Sequence, residues 1–204
     1  MYARSTTISG DPAGIDEGIA FVRDEVMPTI TAIEGCVGMS LVVDRDQGRI
    51  IATSSWESQD AMEASRDQLA ALRTRGGEIL GGSPEIQEWE VVVMHRDHPT
   101  HEGACCRITW GRPQDMDAMI EMWRSTLLPE IEGFEGFCSA SVLADRSAGV
   151  MCGTVTFDSR EALDSSRDSA TALREKATSE AGVEIVDVAE FDLVVAHLRV
   201  PELV

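Results

Sequence analysis

Trp56 reads in two ways, as a side chain that orients an aromatic molecule or as a core aromatic at a strand–helix corner. An indole stacks on a ring and offers one N–H donor, and Thr53, Ser54 and Ser55 place hydroxyls beside it. His95 and His197 come next, because imidazole exchanges protons near neutral pH. Trp56, His95 and His197 are therefore the candidate catalytic residues. If residues 50–56 are extended, Ile50, Ala52, Ser54 and Trp56 share a face. With Arg4, Met62 and Arg66 that face gives an expected ligand wall of Arg4, Ala52, Ser54, Trp56, Met62 and Arg66, in which Arg66 would steer an anionic substrate. His98 and His101 sit in "DHPTHE", which contains metal-ligand residue types. A loop holds such ligands without preorganisation, so no metal is assigned. No G-x-G-x-x-G, Walker loop, G-x-S-x-G or H-E-x-x-H occurs, and no cofactor is expected.

Around these residues the chain repeats itself. "DRDQGRIIATSSWESQDAMEASRD" (Asp44–Asp67) returns as "DRSAGVMCGTVTFDSREALDSSRD" (Asp145–Asp168), an offset of 101. The same offset pairs Gly10 with Gly111, Pro28 with Pro129, Glu34-Gly35 with Glu135-Gly136, and Leu72-Arg73 with Leu173-Arg174. A period this long indicates a duplicated small domain, not a solenoid unit. The expected domains are 1–96 and 105–204, joined by a polar linker over 97–104.

Each copy reads as β-α-β-β-α-β. "RSTTIS" is strand-like, and Ile15, Ile19, Val22, Val26, Ile30 and Ile33 recur at helical spacing. Pro28 and Pro129 should kink or restart that helix. Two β-rich runs then meet at Asp-Arg-x-x-Gly, where Asp44 and Gly48 supply turn chemistry. Ser58 and Ser159 are placed to cap a second helix spanning 58–80 or 159–181, and "IQEWEVVVMH" closes the unit. The repeated Ser65-Arg66-Asp67 and Ser166-Arg167-Asp168 read as small helix–sheet contacts flanked by surface ion pairs. This order is the ferredoxin-like arrangement. One sheet face would be bare, so the second copy is the expected cover: a pseudo-dimer within one chain, which leaves a further homodimer open.

The net charge of −19 disfavours nucleic acid and anionic membranes. No apolar run of about 18 residues is present to span a bilayer. The first residues lack a secretory h-region, which makes the cytoplasm the expected compartment. The five cysteines (Cys36, Cys105, Cys106, Cys138, Cys152) are odd in number and form no CxxC, as expected of reduced thiols.

The strand, helix, "EGC" or "EGF", hairpin and "W-E-S-x-D-A" opening of the second helix resemble the antibiotic biosynthesis monooxygenase family, over nearly the whole chain. The resemblance implies a dimeric α+β barrel, here formed by two tandem ferredoxin-like domains. It also implies oxidation of a small aromatic or polyketide-like substrate by dioxygen without a cofactor. The alternative is a non-catalytic protein that binds a small ligand or a partner. Trp56 matches the family's pocket Trp, and Phe157 takes its place in the second copy. The Asn that family oxygenases carry four residues earlier is replaced by Ala52 and Gly153. Haem-degrading members need a His on the second helix and an Asn on the first strand, and neither copy has them. The second-copy face, Met151, Gly153, Val155 and Phe157, is apolar, so the first copy is expected to hold the ligand.

Overall fold

The computed structural model describes residues 1–198 and 200–204, with the backbone alone of His197 and Leu198. In the first copy β1 (Tyr2–Ser9) leads through an Asp11-capped turn into α1 (Ile15–Phe21). Pro28 does not break this helix. A π-helical turn, Val22–Val26, precedes α2 (Met27–Thr31), and the Met27 N–H bonds to the Val22 carbonyl five residues back. Proline lacks an N–H, and its ring would strike the carbonyl four residues earlier; a wide turn ahead of it relieves both problems. The helix then carries on past the proline.

β2 (Cys36–Asp44) and β3 (Arg49–Trp56) form the hairpin. Asp44 Oδ1 accepts from the N–H groups of Asp46 and Gln47, and Gly48 takes φ 63°, which favours glycine. The Ser58 hydroxyl accepts from the Ala61 N–H, as an N-cap should. The helical segment that follows is not continuous: α3 (Gln59–Ala64) and α4 (Ala70–Leu80) are separate, ahead of β4 (Glu85–Arg96).

The second copy repeats this order. It comprises β5 (Cys105–Arg112), α5 (Met116–Met122), a π turn at Trp123–Leu127, α6 (Leu128–Ile131), β6 (Phe137–Asp145) and β7 (Val150–Phe157). α7 (Arg160–Ser165), α8 (Arg167–Ala181) and β8 (Glu184–Leu198) complete it. Along the closed antiparallel barrel the strand order is β1-β3-β2-β8-β5-β7-β6-β4, an α+β architecture built from two ferredoxin-like halves.

Two compact units result: Met1–Trp89 with Asp192–Val200, and Glu90–Phe191 with Pro201–Val204. The long strands β4 and β8 therefore each serve both units. In the first unit Asp192–Leu198 pair with β2, and in the second Glu90–Arg96 pair with β6. Each unit has its own apolar core. That of the first gathers Ile15, Phe21, Met39, Leu41, Val43 and Trp56; that of the second gathers Trp123, Leu128, Ile131, Phe137 and Val142.

One register differs from the sequence alignment. Tyr2 lies opposite Trp56 and Cys105 opposite Phe157, so β1 and β5 correspond at an offset of 103, while the hairpins keep 101. Gly111 therefore does not occupy the place of Gly10; the second copy is two residues shorter between its first strand and first helix. No helix among the described residues is long and apolar enough to cross a membrane.

Candidate functional site

The corrected register brings out a feature that the gap-free alignment hid: Arg4 on β1 and Arg107 on β5 are counterparts. Both are buried. Arg4 donates from Nη1 to Ser65 Oγ at 2.9 Å, from Nη2 to the Met62 carbonyl at 2.7 Å, and from Nε and Nη2 to Glu88 Oε1 at 2.9 and 2.8 Å. Arg107 does the same with Ser166 Oγ (2.9 Å), the Leu163 carbonyl (2.9 Å) and Glu190 Oε1 (3.2 and 2.9 Å). Each Ser hydroxyl passes its own hydrogen to the same carbonyl, at 2.7 Å in both units. A buried guanidinium is tolerable only when paired and hydrogen-bonded in this way. The frame ties the first strand, the helix after the hairpin and the last strand together, and explains why Ser65 and Ser166 recur. The shared R-x-T of Arg4-Ser5-Thr6 and Arg107-Ile108-Thr109 was the signal for it.

A mostly apolar cavity adjoins each frame, between sheet and helices. The first unit's, about 70 Å³, is lined by Arg4, Thr6, Val22, Val26, Ala52, Ser54 and Arg73, among others. The second unit's, about 80 Å³, is lined by Arg107, Thr109, Trp123, Leu127, Gly153, Val155, Phe157 and Arg174. Both π turns contribute lining residues, as such turns often do at functional sites.

Arg73, on α4, donates from Nη1 to the Arg66 carbonyl at 3.0 Å. Its Nη2 is buried and has no acceptor among the described residues. Burial pushes this guanidinium below its ordinary pKa, and neighbouring Arg4 and Arg66 add to that while Glu88 opposes it. Arg174, its counterpart on α8, is likewise lowered by burial and then by Arg107. Arg174 has a partner, however: Nη2 donates to Thr171 Oγ1 at 2.7 Å. A buried donor with no acceptor costs roughly 1–3 kcal/mol. A ligand oxygen carrying negative charge would supply the missing bond and offset the crowding of cations around Arg73.

The structure brings some of the sequence-derived candidates together and disperses others. Arg4, Ala52 and Ser54 line the first cavity; Trp56, Met62 and Arg66 are not among its lining residues. Trp56 is wholly buried, and its Nε1 donates to Ser54 Oγ at 3.0 Å. Ser54 Oγ in turn donates to the Arg4 carbonyl at 3.2 Å. Met62 is buried, its carbonyl bound by Arg4, and exposed Arg66 pairs with Glu88 Oε1 at 2.8 Å. His95 lies in the second unit, with Nε2 2.8 Å from Glu132, Nδ1 3.2 Å from Glu202, and its ring stacked on Phe137. The His197 side chain lies outside the described residues. The second cavity is not without polar groups, since Arg107, Thr109 and Arg174 line it beside the apolar β7 face. A Cβ at Gly153 would stand 2.5 Å from the Trp123 ring, so an Asn there is excluded by packing.

His98, Cys138 and Asp158, in the second unit, hold their ligand-type atoms within 4.8 Å of one another. None of the three lines either cavity.

The profile of the family described as "Antibiotic biosynthesis monooxygenase" matches residues 1–75. The chain is 52% identical over 206 residues to "Uncharacterized protein Rv2557" of Mycobacterium tuberculosis (strain ATCC 25618 / H37Rv), covering 100% of this chain and 92% of that one. Among solved structures, an anthrone oxidase-like protein superposes with a TM-score of 0.62 at 14% identity, over 97% of this chain and 90% of that one. A heme-degrading enzyme from Listeria monocytogenes reaches a TM-score of 0.53 at 9% identity, covering 94% and 99%. At such identities the structural matches speak for the fold alone.

Proposed function

The chain belongs to the antibiotic biosynthesis monooxygenase family, and from that premise we propose that it oxidises a small, acidic, hydroxyl-bearing aromatic with dioxygen, using the cavity of the first unit. The observation that carries this reading is Arg73: a guanidinium lining an apolar cavity, one nitrogen of which is buried without an acceptor. An apolar lining with few polar groups is what orients an aromatic ring. An unsatisfied cation selects a ring that bears a phenolate or carboxylate.

The chemistry follows from charge. Stabilising the substrate anion lowers the pKa of the substrate C–H or O–H, and the anion can then pass one electron to dioxygen. Recombination of the substrate radical with superoxide forms a C–O bond and, after protonation, a hydroperoxide. Where the oxidised carbon began as CH₂, loss of water leaves a carbonyl. One dioxygen is consumed, one oxygen atom enters the product and the other leaves as water, with no external reductant. The protein contributes position and electrostatic stabilisation. Trp56 acts behind the wall in this scheme: its indole fixes Ser54 and keeps the Arg4 strand in place.

The described lining residues of this cavity include no His, Asp or Glu to take the first proton, which favours a second reading, a binding protein for the same kind of anion. Oxygen-electrode measurements with a panel of naphthols and anthrones separate the two. The proposal expects saturable oxygen uptake matched one-to-one by carbonyl product. Tight binding of the panel without uptake would establish the binding reading instead.

A further inference from the structure

We propose that His98, His101, Cys138 and Asp158 form a site for a divalent transition metal of the zinc type. Cys138 Sγ lies 3.0 Å from Asp158 Oδ1. His101 Nε2 is 3.0 Å from the same oxygen, and His98 Nε2 is 3.6 Å from Asp158 Oδ2. One thiol, two imidazoles and a carboxylate are a donor set that suits tetrahedral zinc.

The hydrogen bonds around the cluster point the same way. His98 Nδ1 is 3.2 Å from the Pro99 carbonyl and His101 Nδ1 is 3.2 Å from the Glu102 carbonyl. A carbonyl only accepts, so each Nδ1 donates, and in a neutral ring Nε2 is left as a lone pair. In that state both lone pairs face the Asp158 carboxylate, and the Cys138 thiol supplies the single hydrogen among these three acceptor groups. A cation between them removes that conflict. Carbonyl-bound Nδ1 with Nε2 directed inward is also how protein zinc ligands are commonly oriented.

The site is built on the sheet. Cys138 lies on β6 and Asp158 directly follows β7, its N–H bonded to the Gly136 carbonyl at 2.8 Å. The segment bearing the histidines is tied to the same strand, since the Asp97 N–H donates to the Cys138 carbonyl at 2.9 Å. Cys138 is buried while His101 is 61% exposed, so a metal has a route in from solvent. The first copy has Val37 and Glu57 at the places of Cys138 and Asp158, by the offset of 101. The cluster is thus an addition to one copy, dispensable to the shared frame.

The test uses the full chain, first stripped with chelator and then titrated with Co²⁺ as a spectroscopic stand-in for Zn²⁺. The expected result is one Co²⁺ per chain, with tetrahedral visible bands and a thiolate-to-cobalt charge-transfer band, all displaced by Zn²⁺. Cys138→Ser should abolish the charge-transfer band. The His98→Gln/His101→Gln double variant, altered at partly exposed positions, should weaken binding at least tenfold while the circular dichroism spectrum stays unchanged. Absence of stoichiometric binding, a charge-transfer band that survives Cys138→Ser, or undiminished affinity in the double variant would each overturn the proposal.

Discussion

The two units keep the same buried ion pair and differ in what surrounds their cavities. Arg4 and Arg107 make the same set of bonds, to a Ser hydroxyl, a helix carbonyl and a last-strand Glu. Beyond that frame the copies diverge. Ser54 and Trp56, joined by a hydrogen bond, become Val155 and Phe157. Val22 and Ala52 become Trp123 and Gly153, and the indole fills the space that a side chain on residue 153 would need. Arg73 keeps an unsatisfied nitrogen, whereas Arg174 bonds to Thr171. The copies thus share the arginine frame and several polar lining residues, and differ at the hairpin and first-helix walls of the cavity. The unsatisfied donor is found in the first copy and not at its counterpart in the second.

The largest expected effect falls on the shared frame. Arg4→Met and Arg107→Met should each destabilise the chain by about 2–3 kcal/mol, because Glu88 or Glu190 loses its buried partner while a hydroxyl and a carbonyl lose their donor. The figure sits at or below the low end for buried pairs because Glu88 and Glu190 are 29% and 22% exposed. Denaturant unfolding measures it. Similar losses in both variants would confirm a common frame; a loss well under 1 kcal/mol in one of them would break the equivalence.

Gly153→Ala should cost about 1–3 kcal/mol through overpacking against Trp123, and Trp123→Val in the same chain should relieve part of that cost. Ala52→Gly in the first copy should cost about 1 kcal/mol, the worth of one methyl and some chain entropy. If Gly153→Ala is neutral, the Trp123 contact is looser than the 2.5 Å approach implies.

A smaller contrast appears at alkaline pH. Burial pushes the Cys152 thiol up from 9.0 to about 12, while the first copy has Ile51 in that place. The unfolded thiol ionises first, so the unfolded state binds fewer protons between these values and stability falls as pH rises through the window. The loss is at most about 1.4 kcal/mol per pH unit. Unfolding midpoints of the wild type and Cys152→Val, measured from about pH 8 up to about pH 11, should diverge above the unfolded thiol's pKa. Parallel curves would mean that Cys152 reaches solvent.

Much of this frame was readable in the residues because its causes are local. Asp44 and Gly48 announce a hairpin through turn chemistry, Ser58 and Ser159 announce helix starts, and the apolar spacing from Ile15 announces the helix. The register of the first strand was not readable. Glycine and proline matches set the alignment, whereas strand register is set by pairing partners far along the chain. That two-residue slip concealed Arg107 as the twin of Arg4. The sharing of β4 and β8 between units was hidden for the same reason, since tertiary pairing alone decides which neighbour each half of a long strand meets. Trp56 was conspicuous by type, yet its indole is held by Ser54 in the core. Arg73 stood out in the sequence only as the repeat match of Arg174, because an unsatisfied nitrogen is a property of surroundings that no spacing rule encodes.

The unsatisfied nitrogen of Arg73 is the reason to expect an organic anion in the first unit's cavity. Calorimetric titration with 1-hydroxy-2-naphthoate, on the wild type, Arg73→Gln and Arg174→Gln, tests it most directly. A saturable site is expected in the wild type. At least a tenfold weaker affinity, about 1.4 kcal/mol, is expected in Arg73→Gln and little change in Arg174→Gln, whose guanidinium already has a partner. No saturable binding by the wild type, or an affinity that survives Arg73→Gln and falls with Arg174→Gln, would contradict that expectation.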